Sequence, residues 1–160
     1  AIRKLERITT AHLKIDKGEC FYKKKERKGG EMFVIHHMEK GNLPALDSVA
    51  AKAETYSIGE ALKLATGATK AGATDAPTYV AMQGGTKTAA DKLVVYPVSS
   101  DMVFETTFAA DGSAINVGDA VTLHTDGLQV TATTTSGVAT VVGFLDPVKT
   151  AGSRVLVKFL

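Results

Sequence analysis

The chain has 160 residues, 44% hydrophobic but only 6% aromatic, with no Trp, and 19 Lys/Arg against 17 Asp/Glu give a net charge of +2. That is enough apolar material for one modest core, and the length suits one domain with an extension better than two. No apolar run approaches the roughly 20 residues of a membrane helix, the basic N-terminus lacks the apolar stretch of a secretory signal, and the single Cys20 excludes an internal disulfide. A soluble protein is expected, and Ala1 is a small residue of the kind left when an initiator Met is removed.

The charge is unevenly spread. Residues 1–30 hold ten Lys/Arg against four Asp/Glu, a net +6, whereas the rest holds nine against thirteen, a net −4. A basic arm therefore precedes a mildly acidic body. Within the arm, Ile2-Arg3-Lys4-Leu5-Glu6-Arg7-Ile8 spaces apolar residues for a helical turn or two, too short to be stable alone. His12-Leu13-Lys14-Ile15, Glu19-Cys20-Phe21-Tyr22 and Met32-Phe33-Val34-Ile35 are expected as short strands. Residues 23–30 form a charged turn ending in Gly29-Gly30, and together these pieces predict a hairpin with a basic tip. Between residues 41 and 55 the pattern weakens. Asn42-Leu43-Pro44 breaks any regular element, residues 45–53 are expected as a short helix or an irregular linker, and the division falls into an arm of residues 1–50 and a body of residues 51–160.

The body says one thing twice: Ile58-Gly59-Glu60-Ala61-Leu62-Lys63-Leu64 is echoed by Val117-Gly118-Asp119-Ala120-Val121-Thr122-Leu123. Each copy reads as a turn, a strand of period two and another turn. Such a unit leaves an apolar face bare, so the two copies are expected to close on each other in a small all-β barrel or sandwich. The Ala/Thr/Gly-rich segment 65–76 is expected as an exposed loop, followed by the run Pro77-Thr78-Tyr79-Val80-Ala81-Met82. Further strands are expected at 92–98, ending near Pro97, which cannot donate to a central ladder, and at 102–108. Asp111-Gly112 and Asp126-Gly127 mark turns, residues 128–133 make a return, and 138–144 and 154–159 complete some eight to ten strands.

No constellation of residues for catalysis, cofactor binding or metal binding emerges. His36-His37 ends a predicted strand, where adjacent side chains point to opposite faces, and with His12, His124 and Cys20 shows no zinc-ligand spacing. Cys20 reads as a small buried hydrophobe. Asp111, Asp119 and Asp126 suit turn hydrogen bonding better than a calcium loop, and Gly59 and Gly118 belong to no phosphate-binding pattern. The sharpest local feature is Lys23-Lys24-Lys25-Glu26-Arg27-Lys28. Its readings are a solvated turn whose charges discourage edge pairing, a grip on an acidic protein surface, or a grip on nucleic-acid phosphates with Phe21 or Tyr22 stacking on bases.

The order of Gly59-Glu60-Ala61-Leu62, Pro77-Thr78-Tyr79-Val80, Val117-Gly118-Asp119-Ala120-Val121, the Thr-rich stretch 130–135, Gly143-Phe144 and the terminal Val155-Leu156-Val157-Lys158-Phe159 resembles the head decoration, or capsid cement, proteins of tailed bacteriophages. The resemblance covers about two thirds of the chain, residues 56–160. It implies a structural virion protein on the outer surface of a phage head, made in the host cytoplasm, that clamps neighbouring major capsid subunits as a trimer or cluster, without enzymatic activity or cofactor. The basic arm departs from the shortest family members. Fixing backbone costs roughly 1–2 kcal/mol per residue, and the arm has too few apolar side chains to offset this internally. Ile8, Leu13, Ile15, Phe21 and Phe33 are therefore expected to bury against a partner capsid surface, with Lys23, Lys24, Lys25, Arg27 and Lys28 gripping it. The alternative is a nucleic-acid-binding β-barrel that uses the basic hairpin; a carbohydrate-binding surface protein has less support, because aromatics are few.

Overall fold

The computed structural model describes residues 31–160, together with the backbone strands Leu13–Asp16 and Glu19–Tyr22. Among these residues the protein is all-β, with no helix. Fourteen strands follow in order: β1 Leu13–Asp16, β2 Glu19–Tyr22, β3 Val34–Met38, β4 Asp47–Ala50, β5 Thr55–Tyr56, β6 Ala61–Leu64, β7 Ala68–Lys70, β8 Tyr79–Ala81, β9 Gly85–Thr86, β10 Lys92–Pro97, β11 Met102–Thr107, β12 Ala120–Val121, β13 Ala139–Phe144 and β14 Arg154–Phe159. Two five-stranded antiparallel sheets carry the architecture, in the orders β4-β10-β8-β6-β7 and β12-β13-β14-β11-β3, and β1-β2 and β5-β9 form two-stranded pairs.

Several expectations change. β2 pairs with β1, whereas β3 joins β11, so the expected hairpin does not enclose residues 23–30. Residues 45–53 hold strand β4 and no helix, because β10 offers its edge from Lys92 to Val95. The presumed exposed loop at 65–76 contains β7, with Ala68 and Ala71 buried; small side chains let this segment lie close against β6. The boundary at residue 50 does not separate arm from body either, since β3 and β4 are edge strands of the two main sheets. Pro97 is the last residue of β10, as a residue without an N–H should be.

The short repeat is the visible part of a longer duplication. In the first copy, Glu60 N–H donates to Ser57 O (3.2 Å), Ser57 N–H donates to Glu60 Oε2 (2.8 Å), and Gly59 sits at φ 79°. In the second, Asp119 N–H donates to Asn116 O (3.1 Å), Asn116 N–H to Asp119 Oδ2 (2.8 Å), and Gly118 sits at φ 96°. Both are four-residue turns whose third position needs positive φ and therefore Gly. The correspondence continues through the ladders. Gly59 N–H to Ala81 O matches Gly118 N–H to Val141 O, Thr78 N–H to Leu62 O matches Val138 N–H to Val121 O, and Val98 N–H to Thr78 O matches Leu160 N–H to Val138 O. Ala51 N–H to Asp91 O (3.0 Å) matches Phe108 N–H to Ser153 O (3.0 Å), and each half curls until a parallel bridge joins its ends, Ala51 to Ala68 in one and Phe108 to Val130 in the other. Residues 47–98 and 104–160 are thus two copies of one backbone plan, and the two repeat units lie in separate sheets.

Burial follows from this plan. Leu62, Ala81, Leu93 and Val95 line the first half's own core with Tyr56, whose hydroxyl donates to Ala68 O at 2.7 Å. The alternate residues Ala61 and Val80 point the other way, into a larger core built mostly by the second half around Phe104, Phe108, Val141, Val155 and Val157. β6 and β8 are therefore apolar on both faces, because the second half covers the face that a solitary sheet would expose.

Candidate interaction surface

Of the ten residues expected to bind a partner, Ile8, Lys23, Lys24, Lys25, Arg27 and Lys28 lie outside the described residues. Leu13 and Ile15 fall on β1 and Phe21 on β2, whose backbones pair in the register Leu13 to Tyr22, Lys14 to Phe21, Ile15 to Cys20 and Asp16 to Glu19. Phe33 is placed against expectation. It is only 3% exposed, with its ring 5.0 Å from that of Phe159 and edge-on to Phe104 at 6.4 Å, so it anchors the chain to its own core. Its N–H donates to Gly59 O at 2.9 Å, which ties the same segment to the first half. Phe33 has no surface left to offer a partner.

The two adjacent histidines also depart from the alternation rule. The pairing of β3 with β11 shifts register between Val103 and Phe104, so that His37 opposes Val103 and Ile35 opposes Phe104. This bulge inserts His36 as an extra residue and turns both exposed rings together, with Nδ1 to Nδ1 at 2.7 Å. Among the described residues no three His, Cys, Asp or Glu side chains converge as a metal site. Asp111 accepts from Ser113 N–H, Asp119 from Asn116 N–H and Asp126 from Leu128 N–H, so each of the three carboxylates caps its own turn.

Electrostatics are local. Glu60 is almost fully buried, and burial raises its pKa; Ser57 N–H binds one oxygen, while the other lies 3.9 Å from Lys70 Nζ without a hydrogen bond. Asp146 is held below the usual carboxylate range by Arg154, whose Nη2 lies 2.8 Å from Oδ1 and whose backbone N–H donates to Oδ2 at 2.7 Å. Asp75 is lowered by Lys63 and by Gly72 N–H, and Asp91 by Thr88.

What faces solvent is apolar at specific places. Ile58 and Val117, the second residues of the duplicated turns, are exposed, as are Leu43 and Leu46 before and beside β4, and Val148 and Leu160 in the second half. Single exposed aliphatics are ordinary, but residues 43–46 lead directly into the edge strand β4. Sequence reasoning missed this edge because it read residues 45–53 without a strand. The signal was a second echo, Lys87-Thr88-Ala89-Ala90-Asp91 against Lys149-Thr150-Ala151-Gly152-Ser153, each followed by an apolar strand. In both, the fourth turn residue's N–H donates to the Thr carbonyl and its side chain accepts the Thr N–H, which extends the repeat and implies equivalent neighbours for β10 and β14. Comparison of the chain with protein families, curated proteins and solved structures returns no match.

Proposed function

We propose that this protein is a structural virion protein that decorates a bacteriophage head and stabilises it by bridging major capsid subunits from the outside. The observation that carries the reading is that the motifs of the resemblance, from Gly59 to Phe159, fall on the turns and strands of one duplicated β-body. Such a body, held by shared apolar packing and capped turns, suits a mechanical clamp. The basic residues 1–30 precede an otherwise acidic chain, and several weak contacts to fixed subunits add up through avidity. With Phe33 in the core, the attaching role falls to Ile8, Leu13, Ile15, Phe21 and the basic run, and the arm proper ends near residue 30.

The test is binding to expanded heads assembled without the protein. Full-length chain should coat their outer surface and raise the temperature at which they rupture, whereas a chain lacking residues 1–30 should keep its β-body and lose binding. Undiminished binding by the shortened chain would remove the arm from the mechanism. The nucleic-acid reading predicts instead a DNA affinity that falls steeply with salt and is lost when Lys23, Lys24 and Lys25 are neutralised.

A further inference from the structure

The two halves share one plan but not one set of strands. In the second half, β11 holds β14 on one side and receives β3 on the other, in the antiparallel register Met102 to Met38 through Glu105 to Val34. The shift that carries Ala51 onto Phe108 carries residues 45–48 onto 102–105. At those positions the first half has no counterpart of β3: β4 ends its sheet, and no strand among the described residues pairs with that side. Exposure reports the difference directly, since Leu46 is 54% exposed and its counterpart Val103 is 1% exposed.

The ladder also fixes which groups are on offer. Ala51 N–H bonds to Asp91 O, so in antiparallel alternation residues 49 and 47 bond to β10, and residues 48 and 46 turn their N–H and C=O outward. Ser48 N–H donates to the neighbouring Asp47 Oδ1 at 2.7 Å, a cap that an incoming carbonyl would replace. The turns differ in the same way: Phe33 covers Gly59, whereas a Cβ at Gly118 would meet nothing within 4 Å among the described residues.

One element of the chain lacks a third strand in the same way. Among the described residues β1 and β2 form a sheet of two that shares no strand with the others, and a two-stranded hairpin is marginally stable alone. Though itself neutral, with Lys14 and Lys17 against Asp16 and Glu19, it is flanked in sequence by the basic stretches of the +6 segment, while the rest of the chain, with Asp47 at the open edge, is acidic. We infer that the outward edge of β4 receives the β1-β2 hairpin of a second copy, laid antiparallel as β3 lies on β11. Within one chain β1-β2 and β4 share no ladder, and donor and acceptor surfaces differ, so the contact is head-to-tail and closes into a ring when the rotation allows. This goes beyond the capsid reading and does not depend on it, because it concerns the isolated protein.

Complementation between two full-length variants tests it by light scattering. Ser48→Pro deletes an outward N–H without removing a bond to β10, and Leu46→Lys places a cation on the edge; both alter exposed positions. Phe21→Pro spoils the donating hairpin and leaves the edge intact. Wild type should gain mass with concentration, each variant alone should lose that gain with its circular dichroism retained, and Ser48→Pro mixed with Phe21→Pro should form a one-to-one pair and stop. A wild type monomeric at every concentration, association unchanged in both edge variants, or no pair in the mixture would overturn the inference.

Discussion

Glu60 and Asp119 occupy the same turn position with opposite consequences. Asp119 reaches back to Asn116 N–H from an exposed turn, whereas Glu60, one methylene longer, does so while buried against the second half. Burial disfavours the charged carboxylate and raises its pKa, and Lys70 at 3.9 Å offsets this only in part. The folded pKa lies above that of the unfolded chain, so the stabilising contribution is complete below the usual carboxylate range and is lost as pH rises through the folded value. Glu60→Gln keeps an acceptor for Ser57 N–H and removes the titration. Relative to wild type, its unfolding free energy from urea titration should therefore gain as pH rises above the usual carboxylate range, by roughly 1–3 kcal/mol, the cost of a buried unsatisfied group. Comparing the pair cancels the opposite slope from Asp75, Asp91 and Asp146; parallel pH curves would refute the assignment.

Among elements, the β13-β14 hairpin shows how a long connection is held. Gly143 sits where the register shifts between Val141 and Gly143, and the chain departs after Phe144 and returns at Arg154. Asp146 gathers the return by accepting from the backbone N–H, Nε and Nη2 of Arg154, and Leu145 N–H donates to Arg154 O. Charge-assisted bonds of this kind contribute about 1.5–3 kcal/mol when partly buried. Asp146→Asn should lower stability by roughly 1–2 kcal/mol at neutral pH. Its folded pKa is depressed, so the contribution is present above the usual carboxylate range and vanishes as pH falls through the folded value, where the variant and wild type should converge. A gap independent of pH would place the effect elsewhere. The duplicated Thr-Ala turns do the same service at the start of β10 and β14 with neutral or singly charged caps.

For the whole molecule, the decisive fact is that one face of the first half's central strands belongs to the second half's core. Ala61 and Val80 pack with Phe104 and Val141, and Ala61 N–H donates to Gly127 O while Leu123 N–H donates to Ala73 O. Although each half repeats the other, neither buries its apolar surface alone, so unfolding should be a single calorimetric transition. Leu93→Ala in the first half's core and Phe104→Ala in the shared one should each cost about 2–5 kcal/mol and lower that one transition. Two separable transitions, one moved by each substitution, would show the halves to be independent.

The all-β class, the positions of β10, β11, β13 and β14, and both glycine turns were legible from the sequence, because period-two apolar runs and Gly at positive φ are local signals. The surface was less so. β4 reads as Asp47-Ser48-Val49-Ala50, a segment with little strand propensity that becomes a strand because β10 pairs with it, and residues 65–76 read as a loop because small side chains hide burial. Phe33 looked available to a partner, yet the fold spends it as the clasp between halves; His36 joined His37 through a bulge that no local pattern announces. By itself the chain determined alternation, turns and the basic-then-acidic division. Only tertiary structure decided which strands became edges and which half went without a β3, since strand pairing joins residues far apart in the chain and is chosen by the partner that remains free.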